Sequence, residues 1–581
     1  MAANRLEADA RLCRDGRVLI SPTASSGLRA LEKTLRTAGI KLEANRAAGG
    51  VLVDAVSLGM CRDALGAWGF RISAAVENAA VAAKEHLELH AAALDALREA
   101  TRFPEKARMW LSDYKRLDVL DLHQVTAVAL ACHPAVRGLC IFDEQGLGKT
   151  VEALFAFDRL RETGVVGRAL VFAPKNMVLE WVHDLRRFFG SKYEAAAVVG
   201  TESEKRAALD EDADVFVTNF ETALTLQVRL RQLLQREKGR GLLVVDESFF
   251  VKNAAAQRAK SLRRLRRYAG RCLVLCGTPA PNSAADLVEQ FNIADDGMTF
   301  NGVSLPVDRE EAARLISQTI ETRGVYIRRL KGAVLPDLPS RSFTRVVLPL
   351  PPWQRQLYDS AFYGLVEDVR RSGERAFRQK IGSFMARRVA LLQICSNPVS
   401  LYPETVGLAA KLAALDEILA ELIGRKGEKV VLWSYFTASL NELTKRYQSY
   451  GAVRIDGSVP SPADRREAVR RFQDDDETML FVGNPAAAGA GLTLHRARYA
   501  VYESMSNQAA HYLQSLDRIH RRGQDRPVEY LVLLCDETIE PLEYERILRK
   551  ESDAQALLGD KVGQVVTRET FLKDLLGVRT D

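Results

Sequence analysis

Parallel β-strands cannot be joined by tight turns: each return to the same end of a sheet needs a long crossover, usually a helix. This chain writes that alternation out twice. In one region the apolar runs are LCIF (Leu139 to Phe142), ALVFAP (Ala169 to Pro174), DVFVTN (Asp214 to Asn219), LLVVDE (Leu242 to Glu247) and CLVLCGT (Cys272 to Thr278). In a later region they are KVVLWS (Lys429 to Ser434), AVRIDG (Ala452 to Gly457), MLFVGN (Met479 to Asn484), YAVYES (Tyr499 to Ser504) and VEYLVLL (Val528 to Leu534). Amphipathic stretches of helical period separate the runs, so the fold class is α/β, with two parallel-sheet lobes in tandem.

The flanking text fills in the rest. From Val18 to about Leu97, short strands (RVLIS, VLVDAV) alternate with helices, which reads as a small α/β unit. An alanine-rich helical stretch from Asn78 to Thr101 leads out of it to Phe103-Pro104. Between the lobes, VLPDLP (Val334 to Pro339) and LPLPP (Leu348 to Pro352) read as proline-rich connectors, followed by a helical, basic span to about Arg388. The expected division is 1–102 for an amino-terminal accessory domain, 103–325 for the first lobe, 326–410 for a linker and helical protrusion, and 411–581 for the second lobe. A chain of 581 residues, at about 150 per domain, accommodates these units.

Charge decides less. The net charge of +7, from 82 basic and 75 acidic residues, permits nucleic-acid binding without requiring it. The basic runs Arg258 to Arg271 and Arg370 to Arg388 read as solvated helix faces, with phosphate contact as the alternative. The eight cysteines form no CxxC pair or Cys/His cluster, which argues against zinc. With no secretory start and no long apolar span, the expectation is a reducing, cytoplasmic compartment, nucleoid-associated if the source is bacterial, with no membrane partner.

The most specific string is DEQGLGKT, Asp143 to Thr150, between the strand LCIF and the helical run VEALFAFDRL. Glycines let a backbone curl so that its N–H groups face phosphate oxygens, and the helix N-terminus favours negative charge. Lys149 would neutralise the β and γ phosphates of ATP and Thr150 would ligate Mg2+. Alone, the string could be a chance turn, since Asp143 stands where the G-x-x-x-x-G-K-[ST] pattern has its first glycine. Asp246 and Glu247, ending LLVVDE, supply the second half: one carboxylate for magnesium, one to polarise water.

These residues resemble the Swi/Snf-type ATPases of helicase superfamily two, and the likeness runs in order from about Leu122 to Arg549. DEQGLGKT resembles that family's DEMGLGKT, DESFFVKN (Asp246 to Asn253) its DEAHRIKN, and CGTPAPN (Cys276 to Asn282) its TGTPxxN. YIRRLKGAVLPDLPSR (Tyr326 to Arg341) and LQICSNP (Leu392 to Pro398) look like its connector strings. VVLWSYFTASLNEL, AGAGLTL (Ala488 to Leu494) and above all QSLDRIHRRGQ (Gln514 to Gln524) look like its second-lobe motifs. The resemblance implies two RecA-like lobes and a DNA-dependent ATPase that translocates on or remodels duplex DNA. It assigns adenine to Gln124, and nucleotide contacts to Asp143, Gln145, Gly146, Leu147, Gly148, Lys149, Thr150 and Gly491. Thr150 and Asp246 would hold magnesium, with Lys149, Asp246, Glu247, Arg518 and Arg521 catalytic, the two arginines reaching across as fingers. DNA phosphates would meet Pro174, Lys175, Thr218, Asn219, Ser434, Asp456, Gly457 and Gly489. The chain departs from the family where Ser248 and Phe249 follow Glu247 in place of Ala-His, and where Ser504-Met505-Ser506 lacks a tryptophan.

The amino-terminal AAGGVLVDAV and WGFRIS resemble the HARP-type DNA-recognition domain of annealing helicases, implying a taste for branched DNA; the alternative is a protein-docking module. Two other readings stand beside the DNA motor: a motor subunit of a bacterial anti-phage defence or restriction system, and a non-catalytic nucleotide-binding scaffold. The intact Lys149, Asp246, Glu247, Arg518 and Arg521 argue against the scaffold.

Overall fold

The structure, a computed structural model, describes residues 7–13, 17–24, 27–66, 68–277, 279–280, 284–459, 461–488, 492–505, 509–555 and 568–576. The fold is α/β, built on three sheets.

The amino-terminal sheet has β1 (Glu7–Leu12), β2 (Val18–Pro22), β3 (Glu43–Asn45), β4 (Gly50–Val53) and β5 (Gly69–Ile72) in the order β3-β4-β2-β1-β5. Its pairings are antiparallel except β1 with β5. The sequence reading missed β1, because the side chains it buries are Ala8 and Ala10, weak apolar signals beside three charged neighbours. Helix Ala74–Arg102, capped by Ser73 accepting from the Val76 N–H, then leaves the sheet. Val76 packs in the amino-terminal core, whereas Ala93, Ala96 and Ala100, on one helical face, pack in the core of the next lobe. Lys41 Nζ donates to Gly302 O at 2.6 Å, and His90 Nε2 pairs with Arg323 O at 2.9 Å. A boundary at residue 102 thus ends a helix whose last turns are built into the first lobe.

The first-lobe sheet has β6 (Gly138–Ile141), β7 (Arg168–Phe172), β8 (Ala195–Val198), β9 (Val215–Thr218), β10 (Gly241–Val245), β11 (Arg271–Leu275) and β12 (Tyr326–Ile327), ordered β12-β6-β11-β10-β7-β9-β8 and paired in parallel. Helices cover both faces, which is why the central strands are continuously apolar. Val245 lies opposite Val274, and Leu275 opposite Ile141, so the loops after β10, β11 and β6 leave from one edge, where ligands bind in such sheets.

The second-lobe sheet has β13 (Arg341–Leu348), β14 (Val430–Trp433), β15 (Val453–Ile455), β16 (Leu480–Gly483), β17 (Tyr499–Tyr502) and β18 (Val528–Cys535), ordered β13-β18-β17-β14-β16-β15, again paired in parallel. β13 is the surprise. It pairs with β18 from Arg341 opposite Val528 to Leu348 opposite Cys535. The segment read as a connector therefore gives an edge strand to each lobe, β12 and β13. Its helical sequel is the pair Pro352–Arg371 and Glu374–Ser396, packed with Phe571 over Phe377 and Phe384.

Part of the first basic run is structural. Arg266 donates to Ala294 O (3.0 Å) and Ala269 O (2.7 Å), and Arg271 to His133 O (2.7 Å), so these two guanidiniums satisfy buried carbonyls and face neither solvent nor phosphate. Among the described residues no helix is long and apolar enough to cross a membrane.

Candidate nucleotide site between the lobes

After β6 the chain turns through Asp143 to Gly148 into helix Lys149–Glu162. Gly146 (φ 85°) and Gly148 (φ 92°) are left-handed, a conformation that glycine takes without steric cost. At Gly148 a Cβ would also lie 2.3 Å from Gln124 Nε2. The Gln124 amide is used within the protein: its Oε1 accepts from the Asp121 N–H (3.1 Å) and its Nε2 donates to Leu147 O (3.0 Å). Gln124 thus holds the loop, and the side chain expected to meet adenine is already bonded at both ends. Lys149 is buried, with Nζ donating to Asp143 O at 2.8 Å and Glu144 O at 3.4 Å. Thr150 is the second residue of the helix and half-buried.

Asp143 corrects the expectation for its side chain. Its carboxylate is fully buried and taken by Arg329, through the guanidinium (Nε at 2.9 Å) and the backbone N–H (2.9 Å). Arg329 also pairs with the buried Glu152 at 3.0 Å. An aspartate in the first-glycine position therefore anchors the connector from beneath the loop, leaving only its backbone for a nucleotide.

Asp246 and Glu247 follow β10. Asp246 Oδ2 accepts from Trp181 Nε1 at 2.8 Å, and Oδ1 from the Glu247 N–H at 2.9 Å. Burial, then the neighbouring Glu247 charge, push the Asp246 carboxyl up to about 7, against the pull of Trp181 and Lys149. Glu247 is a non-glycine residue at φ 48°, a strained position of the kind that collects at working sites. Its Oε1 accepts from Gln145 Nε2 at 3.0 Å, and its Oε2 is buried with no hydrogen-bond partner among the described residues. Gln145 reaches it by lying across Gly277, where a Cβ would be 2.6 Å from the amide. Ser248, in the place of the alanine of Ala-His, donates to Gln290 Oε1, and Gln290 Nε2 donates to Pro279 O at 2.6 Å. A buried polar chain therefore runs from Ser248, next to Glu247 in the backbone, to the loop after β11.

The second lobe brings its arginines to this edge. Arg518 is held by Gln514 O (2.7 Å) and Leu492 O (3.1 Å), and Arg521 by Leu492 O (3.2 Å). Burial and the Arg521 charge lower Arg518 to about 10, while Asp517 and Glu247 of the facing lobe oppose the shift. Burial also lowers Arg521, which feels Asp184 of the first lobe. Arg521 Cβ lies 3.9 Å from where a Cβ on Gly146 would stand. Arg522 pairs with Asp121 at 2.8 Å across the same seam. The lobes are closed on each other, with Lys149, Asp246 and Glu247 on one wall and Arg518 and Arg521 on the other.

The residues expected at DNA phosphates divide. Lys175 and Gly457 are exposed. Pro174 is buried, and the polar side chains of four others are engaged internally: Thr218 Oγ1 donates to Val198 O, Asn219 Oδ1 accepts from the Thr222 N–H and hydroxyl, Ser434 Oγ donates to Glu503, and Asp456 takes Arg454 and Ser458. These groups shape strand-end turns, so direct phosphate contact by them would fall to backbone N–H groups. Gly489 and Gly491 lie outside the described residues. The sequence pattern places Arg329 and Lys331 only within the connector string YIRRLK; three cations in that one string, Arg328, Arg329 and Lys331, were the available signal.

Fold and site together define a two-lobed, helicase-like nucleotide-binding protein. Residues 122–399 match the SNF2-related domain and residues 410–523 the helicase conserved C-terminal domain, and the chain belongs to the Swi/Snf family of helicase-like ATPases. It is 27% identical over 465 residues to the ISWI chromatin-remodeling complex ATPase CHR17 of Arabidopsis thaliana, covering 75% of this chain and 41% of that protein. It is 24% identical over 432 residues to the DNA annealing helicase and endonuclease ZRANB3 of Mus musculus, covering 71% of this chain and 38% of that protein. The solved Sulfolobus solfataricus SWI2/SNF2 ATPase core in complex with dsDNA is similar at 20% identity, over 78% of this chain and 96% of that one, with a TM-score of 0.34. The chain spans about two-fifths of the length of the curated relatives it matches.

Proposed function

We propose that this protein is an ATP-dependent translocase on double-stranded DNA, hydrolysing ATP between its lobes. The observation that carries the reading is the convergence of Lys149, Asp246 and Glu247 with Arg518 and Arg521 across the closed seam. In it, Lys149 and the loop N–H groups hold the terminal phosphates, and Arg518 and Arg521 meet charge developing on the transferred phosphoryl group. Such arginines are worth about a thousand- to hundred-thousand-fold in rate. The unpartnered Glu247 Oε2 orients and polarises the attacking water.

The donor set fits magnesium: two adjacent buried carboxyls, one pushed up to about 7, are an arrangement that a hard cation relieves. Thr150 and Asp246 would hold the ion, which supplies charge neutralisation on the phosphates. Because the arginines belong to the second lobe, hydrolysis depends on closure, and DNA held by both lobes is moved as they part and close. Lys175 and Gly457 are the exposed candidates for the DNA backbone. The amino-terminal unit, bonded to the first lobe, is the part that would select duplex or branched DNA.

The test is ATP turnover with no nucleic acid and with single strands, duplex, forked DNA or RNA, for the wild type and Lys149→Ala. Duplex or forked DNA should stimulate most, less so as salt rises, and the variant should be inactive. Equal turnover without nucleic acid, or stimulation by RNA alone, refutes the reading. Displacement of a triplex-forming strand tests translocation itself.

A further inference from the structure

Between β12 and β13 the connector makes a short helix, Lys331–Val334. Its first residue occupies the junction of the phosphate loop and the arginine segment. The Lys331 N–H donates to Glu144 Oε2, in the phosphate loop, at 2.7 Å. Its ammonium is ion-paired with Asp517 and donates to His520 O at 3.0 Å. A Cβ on Gly146 would be 3.3 Å from its Nζ, and the side chain is only 4% exposed. Asp517 immediately precedes Arg518, and His520 immediately precedes Arg521. One connector residue is therefore bonded both to the loop that carries Lys149 and to the segment that carries both arginines.

We infer that Lys331 is a positioning residue for ATP hydrolysis, a latch that seats the arginine segment on the phosphate loop when the lobes close. The inference rests on the roles proposed above for Arg518 and Arg521. An ammonium this deeply buried is tolerated where an anion faces it. Glu144, Asp517 and Arg518 are the charged groups around it. Parting the lobes separates Glu144 from Asp517 and leaves Lys331 with one of them at most, so the loop, the connector and the arginine segment come together as a unit. Arg522 with Asp121 spans the same seam, but its guanidinium is 68% exposed, so water replaces that partner easily.

The latch is tested with Lys331→Met, close in length and uncharged, Asp517→Asn, and the double variant. For each single variant kcat should fall on the order of 100-fold, the size expected of a misplacement of about 1 Å. KM and the dissociation constant of a fluorescent ATP analogue should stay within about threefold of wild type, because Lys149 and the loop are untouched. The double variant should be no worse than either single one, as expected of two partners in one interaction. A second readout needs no turnover: spin labels on Arg206→Cys and Lys445→Cys, exposed positions on different lobes, should report a longer, broader interlobe distance when Lys331→Met is added. Melting temperatures and nucleotide binding near wild type exclude misfolding, and Asp517→Asn leaves Lys331 in place should the methionine variant fail to fold. Wild-type kcat in Lys331→Met, a loss confined to KM, multiplicative losses in the double variant or an unchanged label distance overturns the latch. A wild-type protein that binds ATP but never hydrolyses it sinks the ATPase reading instead, and the label distances still judge the latch.

Discussion

Replacing Trp181 with phenylalanine removes one hydrogen bond and keeps most of an apolar side chain, which makes it a narrow probe of Asp246. The Trp181 N–H donates to Asp246 Oδ2 at 2.8 Å, and both residues are buried. A hydrogen bond to a charged group is worth about 1.5–3 kcal/mol. At about 1.4 kcal/mol per unit, its loss raises the carboxyl of Asp246 by about one to two units from a value already at about 7. At pH 7 the share of metal-free protein with Asp246 ionised should fall by roughly 5- to 50-fold in Trp181→Phe. Half-saturation by Mg2+ in ATP turnover should therefore rise about 5- to 50-fold at pH 7 and return toward wild type by pH 9. The sign for stability is separate. The carboxyl is raised from 3.8 in the folded state, so the folded protein keeps a proton that the unfolded chain has released. Metal-free stability thus decreases as pH rises from about 4 to about 7, and in the variant the decrease extends higher. The assay is a magnesium titration of turnover from pH 6 to 9, paired with urea melts. An unmoved magnesium requirement at pH 7, or a loss that stays constant to pH 9, refutes the claim that Trp181 acts through the ionisation of Asp246.

Three further outcomes follow from the geometry. Gly148→Ala should abolish binding of a fluorescent ATP analogue while leaving the fold intact by circular dichroism, because φ 92° and the Gln124 amide 2.3 Å away both exclude a methyl group. Arg329→Met should cost on the order of 3–5 kcal/mol in urea unfolding, since it strands Asp143 and Glu152 as buried carboxylates without their cation. Arg522→Ala should change unfolding free energy by less than about 1 kcal/mol, and kcat by less than about threefold, as its pair with Asp121 is largely solvated.

The parallel sheets were legible because buried strands such as Leu242 to Val245 are apolar at every position and end in residues with distinctive chemistry. β1 and β13 were not. β1 buries alanines, and β13 is an edge strand whose residues are mostly exposed, so neither carries the apolar run that marks a central strand. At the site, spacing identified Lys149, Asp246 and Glu247 as neighbours in one lobe, because strand and loop are contiguous in sequence. It could not reveal that Asp143 turns to Arg329, or that Gln124 braces the loop, because those partners lie 186 and 23 residues away. Thr218, Asn219, Ser434 and Asp456 illustrate the opposite error: a polar residue at a strand end reads as exposed, yet the turn that follows consumes its hydrogen-bonding capacity.

The connector explains why so much charge is buried at one seam. Arg329 with Asp143 and Glu152, and Lys331 with Asp517, surround the phosphate loop with ion pairs that a well-packed apolar core would match or exceed in stability. An apolar seam, however, would hold the lobes together in a range of registers, since hydrophobic contact is non-directional. Ion pairs of fixed geometry favour one register, and they lose their value steeply once a partner is withdrawn. On the function proposed above, lobes that place two arginines over a phosphate and then part need that steepness more than they need stability. By this reasoning Lys331, rather than a leucine, joins the connector to the second lobe, because the proposed arrangement must be both specific and reversible, while Arg329 fixes the connector to the first lobe beneath the phosphate loop.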